Sequence, residues 1–380
     1  LEQIFDIVIF DGTPSTIVTD AIILSKFVDS TLIVSAHKET KIEDLNQVKR
    51  NITNVGGRIA GVVVNKMPTN KKETKTGYYY ENSIVTSKKT WGITTKQAPK
   101  KKIEEAFKQA HAEAGAVYPL IIGGKKVETE KKIASVSPAT KEVLGYACSC
   151  SKEQADEAIK ASYEAFKKWS LTSVEERVRV LRSLAALLIE NRFIMDAWNV
   201  LESGKNWGEA DGELCEQLDF INSYVMHIQN LEKGKELVPT DELTKCVYIP
   251  IGVGVAVSPW NFPLSLFGGM IVSAVVTGNT ICCKPSSDAP IVAYKFVELC
   301  QKAGIPADVV SYIPGSGSEI GDFIVEHPLT RFVNFTGSKA VGCRINEHAA
   351  KIADGQRWIK RVVAEMGGKN AIIVDSTADI

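Results

Sequence analysis

Residues 279–314 read NTICCKPSSDAPIVAYKFVELCQKAGIPADVVSYIP. NTICCKP (279–285) is an apolar run closed by a proline, the pattern of a buried strand. IVAYKFVELCQKAG (291–304) has apolar residues at helical spacing and ends on Gly304. DVVSYIP (308–314) is strand-like again. Continuous apolar strands separated by a helix predict a parallel sheet with helices on both faces.

The alternation continues outward. VYIPIGVGVAVSP (247–259) reads as a preceding strand, and TRFVNFTGS (330–338) as a later strand running into a helix. The uncharged run Asn261 to Cys283 is long enough to raise a membrane span. Pro263, Gly268, Gly269, Gly278 and Asn279 interrupt it, so a buried helix followed by a strand is expected. Upstream, YPLIIGGKKVET (118–129) and ASVSPATKEVLGYA (134–147) suggest two hairpins. Ser151 with Gln154 fits a capping box before a helix to about Ser170. Ser173 with Glu176 fits another, opening one long amphipathic helix through Glu202 that stops at Gly204. The fold class expected is α/β, a Rossmann-like doubly wound sheet.

Residues 1–68 repeat the alternation independently. FDIVIFD (5–11), STLIVSA (30–36) and IAGVVVNK (59–66) are strand-like, with helical spacing between them. Asp11, at the end of a buried strand, suits a nucleotide–metal site or simply starts a turn with Gly12 and Pro14. Residues 69–118 are polar and Lys-rich, with a helix beginning near Lys102 that places Ile103, Ala106, Phe107 and Ala110 on one face.

Lys plus Arg and Asp plus Glu balance at 45 each, which gives no support for nucleic acid or an anionic membrane as partner. The eight cysteines show neither CxxC nor zinc-ligand spacing, so no metal is expected. Buried packing cysteines in a reducing compartment, and a cytoplasmic location, are the expectation. Cys282 and Cys283 fall in the strand core, and Cys300 and Cys343 in helical packing positions.

Four stretches carry chemistry. PWNFP (259–263) follows a strand, and the Asn261 amide there can donate to a developing oxyanion, or two prolines simply fix a turn. In CKPSS (283–287), Lys284 suits ribose hydroxyls, though alone it also reads as a surface lysine. FTGSKAVG (335–342) passes from strand to helix at Gly337, where free N–H groups suit a pyrophosphate. PGSGSEIG (314–321), with Gly317, is a weaker fingerprint of the same kind. In AEMGGK (364–369), Glu365 before Gly367 is a candidate general base or a surface acid beside a turn.

Taken together and in this order, these motifs resemble the N-terminal part of the aldehyde dehydrogenase superfamily over about residues 117–380. GQRWIKRVVAEMGGK and IPIGVGVAVSPWNFP are similar to the 1-pyrroline-5-carboxylate (glutamate γ-semialdehyde) dehydrogenases of proline degradation. The resemblance implies Asn261 as oxyanion donor and Glu365 as the base that activates water for thioester hydrolysis. It implies a cofactor site from Pro259, Trp260, Lys284, Ser286, Ser287, Gly317, Gly337, Ser338 and Gly367. The cofactor implied is NAD. Ser287 stands where many NAD-preferring relatives carry Glu, so NADP is not excluded. An aldehyde substrate and a homo-oligomer are implied too. The family's nucleophilic cysteine follows the EMGGK stretch by a few dozen residues, so a catalytically incomplete chain is expected.

Residues 1–90 resemble the C-terminal part of bacterial tyrosine kinases that control capsule or exopolysaccharide synthesis. FDIVIFDGTPSTIVTDA is similar to their Walker B strand, Asn65 to their base-side Asn, and Tyr78, Tyr79 and Tyr80 to their autophosphorylation cluster. The phosphate-cradling GxxxxGK[ST] loop is missing, so no phosphotransfer is expected and Asp11 is at most half of a metal site. The expected organisation is a partial P-loop-type segment (1–90), a linker (91–116) and a nucleotide-binding domain (117–380), a composite of two genes. The alternative function is a kinase remnant that serves as phosphorylation substrate or binding module.

Overall fold

The computed structural model describes residues 31–36, 40–65, 100–234 and 244–368, together with 22, 25, 26 and 28. The chain divides into two units, Leu1–Ser83 and Ile84–Ile380.

In the first unit, β1 (Thr31–Ala36) and β2 (Ile59–Asn65) pair in parallel, joined through helix α1 (Ile42–Asn54). Val48 and Ile52 of α1 pack with Ile22 and Ile33. Asp11 and Tyr78, Tyr79 and Tyr80 lie outside the described residues.

The second unit opens with α2 (Lys100–Ala112), whose Ala106 and Ala110 are buried in its main core. Part of the stretch expected to act as a linker is therefore packed structure. β3 (Ala116–Tyr118) lies beside β7 (Val143–Cys148), which pairs antiparallel with β6 (Lys132–Val136). The other hairpin, β4 (Leu120–Ile122) and β5 (Lys125–Val127), turns through Gly123 and Gly124, both at positive φ, where a side chain would be strained.

Four helices follow. The Ser151–Gln154 capping box starts α3 (Lys152–Trp169). Ser173 caps α4 (Val174–Glu190) by accepting from Glu176 N, without a reciprocal Glu176 bond. The single long helix expected here is two: Asn191 leaves helical geometry (φ −92°, ψ 14°), donates its Nδ2 to Leu187 O at 2.8 Å, and α5 (Arg192–Ser203) starts anew. Asn side chains bond local backbone and so favour such breaks. Gly204 ends α5 at φ 76°, as the sequence suggests. α6 (Trp207–Glu232), opened by an Asn206–Glu209 capping box, has no counterpart in the expected elements.

The main sheet then forms from β8 (Val253–Val257), β9 (Thr280–Lys284), β10 (Val310–Tyr312), β11 (Thr330–Thr336) and β12 (Arg361–Glu365), all parallel. Of the expected strand 247–259, only Val253–Val257 enters the ladder. Crossovers run through α7 (Ser265–Val276), α8 (Pro290–Lys302), α9 (Asp322–Glu326) and α10 (Lys339–Ala350). The strand order is β12-β11-β8-β9-β10-β4-β5, with β4 antiparallel to β10. β9 and β10 thus lie on one side of β8 and β11 and β12 on the other. The winding reverses at β8, and in such sheets ligands bind at the carboxyl ends of the strands beside the reversal.

Each sheet face has its own core. Ile281 and Cys283 join α4 to α8, whereas Cys282 joins Val253, Val255 and α3, α9 and α10. The vicinal cysteines therefore point to opposite faces, as period two requires. Cys300 is buried as expected, but Cys343 is exposed on α10 and has no packing role. Among the described residues no helix is long and apolar enough to cross a membrane.

Candidate functional site

The register of the parallel strands brings the singled-out residues to one edge. Val257 of β8 is paired with Lys284 of β9 and with Phe335 of β11. Thr336 is paired with Glu365 of β12. At ~4.8 Å per strand, the backbones of Lys284 and Glu365 are separated by three strand spacings, ~14 Å, with the reversal between them. PWNFP leaves β8 at that edge and Gly337–Ser338 leaves β11 beside it.

Lys284 is not a surface lysine; it is 7% exposed. Among the described residues the acceptor in reach of its Nζ is Pro285 O, at 3.4 Å. Burial pulls its pKa below the ordinary lysine value, since the charged form loses hydration. An ammonium has three donors, so this buried group is under-satisfied. Beside it, the buried Ser258 Oγ also lacks a partner among the described residues. Such orphaned polar atoms mark a place where a polar ligand completes the hydrogen bonding.

Ser286 and Ser287 are half-buried in the loop after Lys284, and Ser286 Oγ accepts from Asp288 N at 3.3 Å. Gly337 donates its N–H to Glu365 O at 3.1 Å, which ties the β11 and β12 exits together. Ser338 caps α10, accepting from Val341 N at 3.3 Å and leaving the other first-turn N–H groups for an anion. A Cβ on Gly337 would stand 2.7 Å from Phe335 Cζ, so the turn needs glycine. Glu365 and Gly367 are exposed, and Met366 fills the space where a Gly342 Cβ would be. Gly317 opens a π-turn, Gly317–Gly321, at the exit of β10, two strands from the reversal.

Pro259 is half-buried, and Trp260 and Asn261 are exposed on the rim of a cavity of about 580 Å³ that also involves Lys205, Glu213 and Phe262. Lys205 Nζ lies 3.9 Å above the Phe262 ring, a cation–π contact, and pairs with Glu213. Glu213 is buried, and its Oε1 accepts from Leu264 N at 2.8 Å and Ser265 N at 3.0 Å. Its Oε2 accepts from Asn199 Nδ2 at 2.6 Å. Glu202 does the equivalent for α8 and accepts from Ile291 N and Val292 N, each at 2.8 Å. A carboxylate at a helix N-terminus satisfies orphan donors and the helix dipole together.

The sequence reading missed Glu202 and Glu213. A signal was present: each falls on the buried stripe of its helix, Glu202 four residues after Trp198 and Glu213 three after Ala210. A carboxylate in an apolar stripe needs partners. Burial also holds the thiols of Cys150 (about 12), Cys282 (about 11) and Cys283 above the ordinary thiol value. They are packing groups, not thiolates.

The aldehyde dehydrogenase family model matches residues 125–380. The chain is 50% identical over 280 residues to 1-pyrroline-5-carboxylate dehydrogenase of Geobacillus thermodenitrificans (strain NG80-2), across 72% of this chain and 54% of that protein. Identity to the Bacillus subtilis (strain 168) protein of the same name is 46% over 278 residues, across 73% of this chain and 54% of that protein. A solved structure of 1-pyrroline-5-carboxylate dehydrogenase from Thermus with bound NAD superimposes with a TM-score of 0.70 at 38% identity, covering 78% of this chain and 57% of that chain. The chain thus spans about half the length of the curated relatives it matches. With a family model that reaches from β5 past the exit of β12, the chain belongs to the aldehyde dehydrogenase family.

Proposed function

We propose that this chain forms the dinucleotide-binding part of an NAD(P)-dependent aldehyde dehydrogenase that oxidises glutamate γ-semialdehyde to glutamate in proline degradation. The observation that carries the reading is the buried, under-satisfied ammonium of Lys284 at the edge where the sheet winding reverses.

The residues present fit the cofactor. Lys284 Nζ and Ser258 Oγ need polar partners, and ribose hydroxyls supply them. The first turn of α10, with Gly337 and Ser338, receives the pyrophosphate. Trp260, Pro259, Ser286, Ser287 and Gly367 line the same edge, with Gly317 farther off. A neutral Ser287 sets no carboxylate against a 2′-phosphate, so NADP is accepted beside NAD. A nicotinamide bound at this edge would supply the hydride acceptor. Asn261 Nδ2 would donate to the oxyanion formed when a thiolate adds to the aldehyde, and, once hydride has left, Glu365 would take the proton from the water that attacks the resulting thioester as the thiolate departs.

Calorimetric titration of the purified chain with NAD and with NADP tests this. Saturable binding of both, weakened at least about tenfold by Lys284→Ala, is expected for the loss of charge-assisted hydrogen bonds. Binding indifferent to that substitution removes the ribose assignment. Absence of binding by the folded wild type removes the cofactor reading.

A further inference from the structure

Glu202 is 3% exposed, and its two oxygens are spent on the first turn of α8 and on β6. Oε1 accepts from Ile291 N at 2.8 Å and from Ser135 Oγ at 2.6 Å, and Oε2 accepts from Val292 N at 2.8 Å. Pro290, first in α8, has no N–H to satisfy, and its carbonyl accepts from Tyr312 Oη at 2.8 Å. The start of α8 is thus held by a helix, α5, from outside the nucleotide sheet. Upstream, Lys284 is held by the β9 ladder. The five residues between, Pro285 to Ala289, are anchored at both ends.

We propose that Glu202 is a positioning residue for the dinucleotide: by gripping the first turn of α8 it sets the loop that presents Ser286 and Ser287 to the ribose beside Lys284. The proposal rests on the cofactor reading above. Glu202 touches no ligand; it acts through backbone N–H groups.

The ionised carboxylate makes this grip, because a protonated one loses acceptor capacity and charge. Burial raises the Glu202 pKa to about 7, opposed by the Ser135 hydroxyl, the Val292 and Ile291 N–H groups and the Lys295 ammonium. Lys295 is itself paired with Glu113 at 2.6 Å, and Tyr118 and Tyr312, the other titratable groups in the field of Glu202, are pushed above the ordinary tyrosine value by burial. The sign separates two roles. An acid with a raised folded-state pKa contributes stability below its unfolded value, lost as pH rises through about 7. Cofactor affinity through the grip rises over the same interval. A purely structural Glu202 would move both quantities in one direction.

The test is calorimetric NAD titration of the chain from pH 5.5 to 8.5 for wild type, Glu202→Gln and Ser135→Ala, with folding checked by circular dichroism. Wild-type affinity is expected to rise about tenfold with a midpoint near the Glu202 value of about 7. Glu202→Gln should bind weakly and without that slope. Ser135→Ala, which removes a donor to the ionised form, should move the midpoint upward. A folded Glu202→Gln with wild-type affinity and slope overturns the proposal. If that variant does not fold, an unmoved midpoint in Ser135→Ala overturns it. Wild type that fails to bind NAD at any pH overturns the cofactor reading and this proposal with it.

Discussion

The carboxylate of Glu213, on α6, accepts the backbone N–H of Ser265 at 3.0 Å, so one helix fixes the first turn of another, α7. Because α7 begins a few residues after Asn261, the proposed oxyanion donor is placed next to a segment that this bond fixes. Glu213→Gln keeps one acceptor for the α7 N–H groups but turns a donor toward Asn199 Nδ2 and leaves Lys205 without its carboxylate. A loss of about 3 kcal/mol is expected, from breaking one side of a buried pair, and is read from the urea midpoint.

Lys284 is expected to trade stability for binding. Its ammonium is buried with a weak partner, so Lys284→Met should raise the urea midpoint of the ligand-free chain by about 1 kcal/mol. The same variant should lose NAD affinity in the calorimeter. A destabilised Lys284→Met would show the ammonium to be better satisfied than its surroundings indicate.

Asp196 is fully buried, and in its neutral form its carboxyl can donate to the neighbouring Asp211 carboxylate. Burial first, then the Asp211 charge, pushes its pKa to about 9. The sign follows from a raised acid: its stabilising contribution is complete below the unfolded value of 3.8 and is lost as pH rises through about 9. Urea midpoints should therefore fall between pH 5 and 8, at ~1 kcal/mol per unit. Asp196→Asn should flatten that slope and be the more stable protein at pH 8. Equal slopes in both would remove Asp196 as the titrating group.

Gly254, in the middle of β8, faces the Phe332 ring: a Cβ there would come within 2.2 Å of Phe332 Cζ. Gly254→Ala forces the ring or the β8–β11 ladder to shift, at a cost of about 2–3 kcal/mol. Pairing Gly254→Ala with Phe332→Leu should recover part of the loss in thermal unfolding, since the ring is the obstacle.

The elements legible in the sequence were those whose chemistry is local. The β9–α8–β10 alternation, the Ser151 cap and the Gly204 stop are each written in a few adjacent residues, and the structure has them where expected. Asn191 was illegible because the apolar spacing of α4 runs on into α5, and one side-chain bond decides the break. α6 was hidden for the opposite reason: Glu213 and Gln217 interrupt its buried stripe, and Gly212 lies inside it. Their acceptance into a helix core is settled by residues far away, such as the α7 N–H groups. The site follows the same rule. Lys284 and Asn261 announce themselves by short motifs, whereas Glu202 and Glu213, which hold the helix starts after them, do not.

The reversal of winding at β8 also sets an order of events during folding. β8 meets β9 after a single helix, but meets β11 only after two further strands and the helices between them have been made. Non-local pairings of this kind close late, because chain entropy must be surrendered before they contribute. A refolding chain can thus regain its helices and the β8–β9–β10 side while the β8–β11 seam is still open. In stopped-flow refolding, far-ultraviolet ellipticity should return first and the capacity to quench on NAD addition last. The crevice at the winding reversal is, in time as well as in space, a late joint of the sheet.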